Sequence, residues 1–164
     1  MPRGHASADL PSRAHGPPQL VSEYQYMHTG MSTAERRPRP VEWVGSSRRD
    51  LKAFPREVQR DVGQALFAAQ CGDEYPAVKP LKGFGGRSVL EIVVSFRSDA
   101  FRAVYAVRFA EVLYVLHAFL KKSTRGVKTP KRELDVIRRR LAAAEQHYEE
   151  RRRQHGEEAS HHQG

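Results

Sequence analysis

From Ser88 onwards, apolar residues recur at every second position in two consecutive runs, and a third, nearly all apolar run follows them. This pattern constrains the fold more than any other feature. The runs are SVLEIVVSF (88–96), FRAVYAVRF (101–109) and VLYVLHAFL (112–120). A period of two is that of a β-strand whose side chains alternate between two faces. The two linking segments are short enough for hairpin loops. The sequence therefore predicts a three-stranded antiparallel meander.

The second and third runs differ in how their strands should be covered. The third run is nearly all apolar, which is typical of a central strand that is buried on both faces. In the second run, Arg102 falls on the opposite side from Phe101 and Tyr105. A cation in the middle of a strand requires an acidic partner or an open cleft, so Arg102 is the most informative single residue of the chain.

Helical periodicity precedes the strands. Apolar residues recur at spacings of three and four from Leu51 to Ala69, which is the pattern of one helix face. Pro55 interrupts this pattern, and proline is tolerated at a helix start rather than inside one. We therefore predict one short helix to about Ala53 and a second helix that starts near Pro55 and stops at Gly72. Together they are expected to form a helical hairpin.

A further helix is predicted after the strands, and a short strand before the hairpin. Thr129 is expected to be the N-cap and Pro130 the first helical residue. A narrow apolar seam then runs from Leu134 to Tyr148. Residues 41–45 (VEWVG) read as a short strand closed by glycine. The predicted fold class is therefore α+β, with an N-terminal helical hairpin packed on a small, mostly antiparallel twisted sheet and a C-terminal helix.

Composition divides the chain into three parts. Residues 1–40 are rich in proline and poor in large apolar residues, so they are predicted to be a disordered N-terminal extension. Residues 41–148 are predicted to form the folded domain, and residues 149–164 a disordered polar tail. Met31 begins the segment MSTAERRPRP and is our expectation for the true translation start, which N-terminal sequencing of native protein would test.

The positive charge is concentrated in one segment. The chain carries a formal net charge of +9, and residues 78–132 hold twelve Lys and Arg against three acids, which is an excess of the same size. Such a concentration is expected of a protein that contacts phosphates. The segment alternates like strands and does not resemble a basic amphipathic helix, so a membrane surface is a weaker interpretation. One cysteine, Cys71, excludes a disulfide within the chain and favours the cytoplasm.

No residue pattern indicates a metal site, a cofactor or a nucleophilic triad. The glycine-rich segment GFGG (83–86) does not precede a helix, and no Lys-Ser/Thr pair follows it, so it is not a phosphate loop. The candidate functional residues are instead basic ones, namely Lys82, Arg87, Arg97, Arg102, Lys121, Lys122, Arg125 and Lys128, with His117 nearby. Such a set is suited to RNA cleavage without a metal, or to nucleic-acid binding alone. His117 lies in an apolar strand, where a core role and a catalytic role both remain open.

Several motifs resemble those of the RelE/ParE superfamily of type II toxin–antitoxin toxins, in its HigB-like, phage-related branch. They are DLKAFPREVQRDVGQAL, VKPLKGFGGRSVLEI and FRAVY, and above all VLHAFLKKSTRGVKTPKRE. The last is similar to a strand that ends in His-x-Phe-x-Lys-Lys and is followed by Thr-Pro at a helix start. The resemblance covers residues 41–141 and implies a RelE-like fold, similar to that of a small microbial ribonuclease.

The resemblance also implies a function and roles for individual residues. The implied activity is metal-independent cleavage of mRNA in the ribosomal A site, and the implied inhibitor is an antitoxin that is often a helix-turn-helix protein. From the residue patterns we also expect no cofactor and no membrane partner. Arg102 matches the strand arginine that contacts the scissile phosphate, and Lys121 and Lys122 match paired lysines near the RNA backbone. Lys82 matches a loop lysine, and His117 a histidine of variable role.

One departure from the branch concerns the second strand. The branch has Glu-Leu-Arg where this chain has Glu91, Ile92 and Val93, so an expected arginine is missing, although Arg97 lies further along. Members of the superfamily differ in which basic residues act, and the ParE type inhibits DNA gyrase without cleaving RNA. A gyrase inhibitor and a non-catalytic nucleic-acid-binding module are therefore the alternative interpretations.

Overall fold

Five strands and three helices form in the described part of the chain, which is residues 37–85, 88–121 and 129–161 of a computed structural model, with side chains to residue 155. In chain order they are β1 (Val41–Trp43), α1 (Ser47–Lys52), α2 (Arg56–Cys71), β2 (Val78–Pro80), β3 (Val89–Phe96), β4 (Asp99–Ala106), β5 (Leu113–Lys121) and α3 (Lys131–His161).

The strands form one mixed sheet in the order β1-β5-β4-β3-β2. Strands β3, β4 and β5 are successive antiparallel neighbours, so the predicted meander is confirmed. β2 extends the sheet antiparallel to β3, and β1 pairs with β5 in parallel. β2 was not predicted, and its three residues include Pro80. This proline is tolerated because β2 is an edge strand, where a missing N–H breaks no interior ladder.

The predicted fold class is wrong in two respects. The sheet has five strands and is mixed, because β1 pairs with β5 in parallel, and the helical hairpin does not form. α1 has six residues, about 9 Å of helix, which is too short to pair along α2. α1 packs on β5 and α2 on β3 instead. The apolar stripe that predicted the hairpin faces the sheet along its whole length, because Leu51 and Val62 join the same core as Phe101.

Each face of the sheet carries its own apolar core. One core lies between the sheet and helices α1 and α2. The other core lies under α3, where Ile137 and Ala144 are almost completely buried. The apolar seam of α3 therefore packs on the sheet, and it does so as far as Tyr148, whose ring centroid lies 4.9 Å from that of Phe109.

A β-bulge in β5 changes which side chains face α3. Val104 pairs with His117 whereas Tyr105 pairs with Val115, so Leu116 is the extra residue. Before the bulge, Leu113 and Val115 belong to the core under α1 and α2. After the bulge, His117 and the residues that alternate with it lie opposite β4 residues on the α3 side. Strict alternation along β5 would have placed both groups on one face.

The ends of the elements agree with the local sequence signals. Gly72 caps α2 in the left-handed conformation with φ of 81°, as predicted. α3 begins at Lys131, one residue later than predicted, and its first backbone hydrogen bonds run from Glu133 and Leu134 to the carbonyl of Pro130. None of the helices in these ranges combines the length and hydropathy that crossing a membrane would require.

The predicted domain boundaries stay predictions. Near each boundary, however, an arginine side chain donates hydrogen bonds to the folded domain. Of the predicted extension 1–40, only residues 37–40 are described, and there the Arg39 side chain donates hydrogen bonds to carbonyls of Ala69 and Phe109. α3 continues past residue 148 to His161, and Arg151 donates a hydrogen bond to Glu42.

Candidate functional site

Four charged side chains lie together on the α3-facing side of the sheet, each contributed by a different strand. Lys79 on β2 pairs with Glu91 on β3, and Arg102 on β4 pairs with Val93, two residues from Glu91 on the same face. Lys121, the last residue of β5, pairs with Ala100, two residues from Arg102. We call Lys79, Glu91, Arg102 and Lys121 the sheet cluster.

A buried ion pair forms the centre of the sheet cluster. The Arg102 Nη1 donates a hydrogen bond to the Glu91 Oε2, and both residues are only 5% exposed. The same nitrogen lies 3.3 Å from the hydroxyl of Thr129, just before α3. The predicted face of Arg102 is therefore confirmed, and its acidic partner is Glu91. Burying a charge in this way requires such a partner, since an unpaired buried ion is strongly destabilising.

One hydrogen-bond donor of the pair is unused. The Nε of Arg102 is fully buried and has no hydrogen-bond partner within the described residues. Leaving a buried donor unsatisfied costs about 1–3 kcal/mol. A ligand that carried an acceptor oxygen into the sheet cluster would remove this cost. Because Arg binds phosphate through several donors of one planar group, a phosphate oxygen is the acceptor that this geometry suits best.

Two lysines flank the ion pair. The Lys79 Nζ lies 3.6 Å from the Glu91 Oε1, the carboxylate oxygen that Arg102 does not use. Partial burial lowers the pKa of Lys121, as do the charges of Arg102 and Lys79, while Glu91 acts in the opposite direction. Three cations thus lie near one carboxylate, which is in contact with two of them, Arg102 and Lys79. Such a site attracts an anion.

His117 is held by both ring nitrogens. The Nη1 of Arg140 lies 3.1 Å from His117 Nδ1, and Glu133 Oε2 lies 2.6 Å from His117 Nε2. A guanidinium can only donate, so Nδ1 must accept and the proton of the neutral ring must lie on Nε2, where it is donated to Glu133. The ring also stacks on Phe119 with centroids 5.0 Å apart. In this arrangement neither nitrogen is open to a substrate.

Arg140 ties the bulge to two helices. From α3 it donates a hydrogen bond of 2.9 Å to the carbonyl of Leu116, the extra residue of β5, and one of 2.6 Å to the hydroxyl of Ser46 next to α1. Ser46 in turn donates to Asp50. The carbonyl that the bulge removes from the regular ladder is therefore satisfied by a side chain, as buried backbone groups generally are.

The predicted site residues divide into three groups. Arg102, Lys121 and His117 lie on the same side of the sheet. Lys82 and Arg97 do not join them: both are exposed, and they lie beyond opposite ends of β3, whose length is roughly 25 Å. Arg97 stacks over the Phe96 ring in the β3–β4 turn. The remaining four predicted residues, Arg87, Lys122, Arg125 and Lys128, lie outside the described residues.

Four residues of this region were not predicted from the sequence. Lys79, Glu91, Glu133 and Arg140 were not candidates, although each contacts a predicted site residue or its partner. Glu91 left a signal in the sequence, because it is an acid in the middle of the alternating run 88–96 and therefore needs a cation. No group of three His, Cys, Asp or Glu side chains in the described ranges is arranged to hold a metal ion.

Comparison with known proteins adds one finding to this geometry. The family model described as phage-derived protein Gp49-like (DUF891) matches residues 49–142, which is more than half of the 164-residue chain. The match begins just before the end of α1 and includes the sheet from β2 to β5 and the first part of α3. No curated protein sequence matches the chain significantly.

Proposed function

The chain belongs to the Gp49-like family of phage-derived proteins, a RelE-like toxin family associated with toxin–antitoxin systems, and we propose that it is a ribosome-dependent mRNA endonuclease of the HigB-like branch. The match includes all four members of the sheet cluster, so the family assignment and the charged site concern the same part of the chain.

The observation that carries the proposal is the buried arginine at the centre of the sheet cluster. Arg102 lies among two lysines and one carboxylate, and its Nε has no partner in the described part of the chain. Phosphodiester cleavage builds negative charge on the phosphoryl oxygens, and fixed cations stabilise that charge. A guanidinium with one nitrogen bound to Glu91 is held in a fixed orientation before the substrate arrives, which lowers the cost of reorganisation.

The proposed reaction is attack of a ribose 2′-oxygen on the adjacent phosphorus. The 2′-hydroxyl proton passes to a base, the bond from phosphorus to the 5′-oxygen breaks, and the departing oxygen takes up a proton. The products are a 2′,3′-cyclic phosphate and a 5′-hydroxyl. Arg102 stabilises the charge on the phosphate, together with Lys122, which lies outside the described residues. Lys121 is the base that takes up the 2′-hydroxyl proton, because its lowered pKa makes the neutral amine more accessible.

His117 has a different part in this proposal. Its two ring nitrogens are engaged by Arg140 and Glu133, so we assign it a structural role rather than proton transfer. It holds the start of α3 against β5, next to Thr129, which contacts Arg102.

The membership of a toxin–antitoxin family suggests an antitoxin partner, and we propose that this is a helix-turn-helix protein which blocks the toxin.

Induced expression in bacterial cells tests the proposed function. The expected result is growth arrest with loss of translation and with new mRNA 5′ ends at the codon in the ribosomal A site. Arg102→Lys should abolish the cuts, and Arg60→Ala, which removes an exposed arginine from α2, should leave them unchanged. A DNA-damage response without mRNA cuts would replace the proposal with gyrase inhibition. Absence of any growth effect would leave only nucleic-acid binding.

A further inference from the structure

We propose that Lys79 is a further RNA-binding residue of the sheet cluster, which contacts a backbone phosphate next to the one bound by Arg102. This inference rests on the proposed function in that it takes RNA as the ligand. It assigns to β2, an edge strand, a role that neither the family match nor the sequence motifs indicate.

Glu91 is shared between Arg102 and Lys79. One carboxylate oxygen accepts from Arg102 and the other lies 3.6 Å from the Lys79 Nζ. The two cations therefore lie on either side of one acid, each beside a different oxygen of the same carboxylate. Glu91 thus draws the Lys79 ammonium group towards the place where Arg102 is bound, as a supporting residue does in a binding site.

Lys79 is much more exposed than the two residues of the ion pair beside it. The Arg102 and Glu91 side chains are 6% and 7% exposed, whereas that of Lys79 is 48% exposed. The pairing with Glu91 uses one direction of the ammonium group, which has three donors. The remaining donors of Lys79 are therefore accessible from solvent, at the open margin of the same face on which the buried Arg102 lies.

The positive charges of Lys79, Arg102 and Lys121 lie close together. Lys79 and Arg102 both act on the pKa of Lys121 in the same downward direction, which means that all three cations are close enough to repel one another. Repulsion among like charges is relieved when an anion enters between them. A single-stranded RNA backbone supplies one phosphate per nucleotide, so it can neutralise two neighbouring cations at once.

The structural alternative is that Lys79 merely protects an edge strand. Charged side chains, lysine in particular, keep edge strands from pairing with other chains. This alternative predicts no contribution to RNA binding beyond that of any exposed lysine. Lys52 provides the matched control, because it is also exposed but belongs to α1, which packs on the opposite face of the sheet.

The test is the salt dependence of binding to a labelled 2′-O-methyl RNA dodecamer, which lacks the attacking hydroxyl and cannot be cleaved. Each phosphate contact contributes about 0.7 to the slope of log Kd against log salt for a single strand. Lys79→Ala should therefore lower the slope by about 0.7. With the two lines meeting at 1 M salt, this makes binding by the variant about fivefold weaker than that of the wild type at ~0.1 M salt. Lys79→Arg should keep the wild-type slope, and Lys52→Ala should do the same.

The outcomes separate this inference from the proposed function. A lower slope for Lys79→Ala supports the inference whether or not the protein cleaves mRNA on the ribosome. Cleavage of ribosomal mRNA with equal slopes for Lys79→Ala and Lys52→Ala would overturn the inference and leave the proposed function intact. Failure of the wild-type protein to bind the RNA at low salt would overturn it as well. The thermal unfolding of each variant, followed by circular dichroism, establishes that the compared proteins are folded.

Discussion

Arg140 donates a hydrogen bond of 3.1 Å to Nδ1 of His117, and this contact decides which ring nitrogen carries the proton. Since Nδ1 must accept, Nε2 donates to Glu133 at 2.6 Å. The three residues connect the bulged strand β5 to α3, and Arg140 also satisfies the carbonyl of Leu116. A residue that the sequence motifs presented as a candidate for catalysis is thereby the centre of a structural contact between a strand and a helix.

The first prediction is that loss of His117 affects stability more than chemistry. His117→Ala leaves Arg140 and Glu133 without their shared partner, and the free energy of unfolding should fall by about 2–3 kcal/mol. Urea denaturation measures this change. The folded protein should keep its rate of mRNA cleavage within about threefold, since the proposed reacting groups are untouched. Unchanged stability together with lost cleavage would return His117 to the catalytic group.

The second prediction concerns Tyr105, whose burial raises its pKa to about 12, with Arg39 acting weakly in the opposite direction. A pKa that is higher in the folded state than in the unfolded state stabilises the fold below pH 10, and this contribution is lost as the pH rises to about 12. Its size is about 3 kcal/mol. Unfolding at alkaline pH should therefore be steep, and Tyr105→Phe should remove that component when both proteins are titrated by circular dichroism.

The third prediction concerns the two-residue turn between β3 and β4. Arg97 and Ser98 both have positive φ, 50° and 55°, a conformation that glycine and asparagine adopt more easily. Ser98→Gly should therefore raise the free energy of unfolding by about 0.5–1 kcal/mol. Ser95→Gly, the same change in the regular part of β3, should lower it by a similar amount. Equal effects of the two substitutions on thermal unfolding would show that the turn is not strained.

Strands β3, β4 and β5 were predictable because the apolar pattern of a strand is a local property of the sequence. The faces of β5 were not, since the bulge at Leu116 places His117 and Lys121 beside Arg102 rather than beside Val115. A bulge forms where other residues can hydrogen-bond its displaced backbone groups, and here Arg140 does so from 24 residues away. Local periodicity does not show such a distant partner. The helical hairpin was predicted wrongly because the spacing of Leu51 and Val62 indicates an apolar face but does not show what that face contacts.

The site was predictable to a similar degree. Arg102 was identified because a cation in mid-strand needs a partner, and the acid it requires lies on the neighbouring strand. Which acid it is depends on the register of β3 against β4, which sets Glu91 diagonal to Arg102. Lys79 could not be assigned, because β2 is too short to show a period and its pairing with Glu91 is a tertiary contact.

The fourth prediction concerns the pH dependence of cleavage. A lysine that acts as a base must be neutral, so the rate should rise with pH up to the pKa of Lys121, which lies below the ordinary lysine value of 10.5. Lys79→Ala removes a cation that lowers this pKa, and the midpoint of the profile should therefore move to higher pH. Lys52→Ala should leave it in place. A Lys121→Ala variant that keeps the wild-type profile would exclude Lys121 as the titrating base.

The central claim is that Arg102 stabilises phosphodiester cleavage on the ribosome. The most direct measurement is the single-turnover rate at which purified protein cuts a 5′-labelled mRNA bound to bacterial ribosomes. We predict cleavage within the A-site codon that requires the ribosome and yields a 2′,3′-cyclic phosphate. Arg102→Lys keeps a charge beside Glu91 but loses the planar group, and it should reduce the rate at least about a hundredfold. The exposed Arg60→Ala should cut at the wild-type rate. Equal rates for wild type and Arg102→Lys, with both proteins folded, would contradict the account.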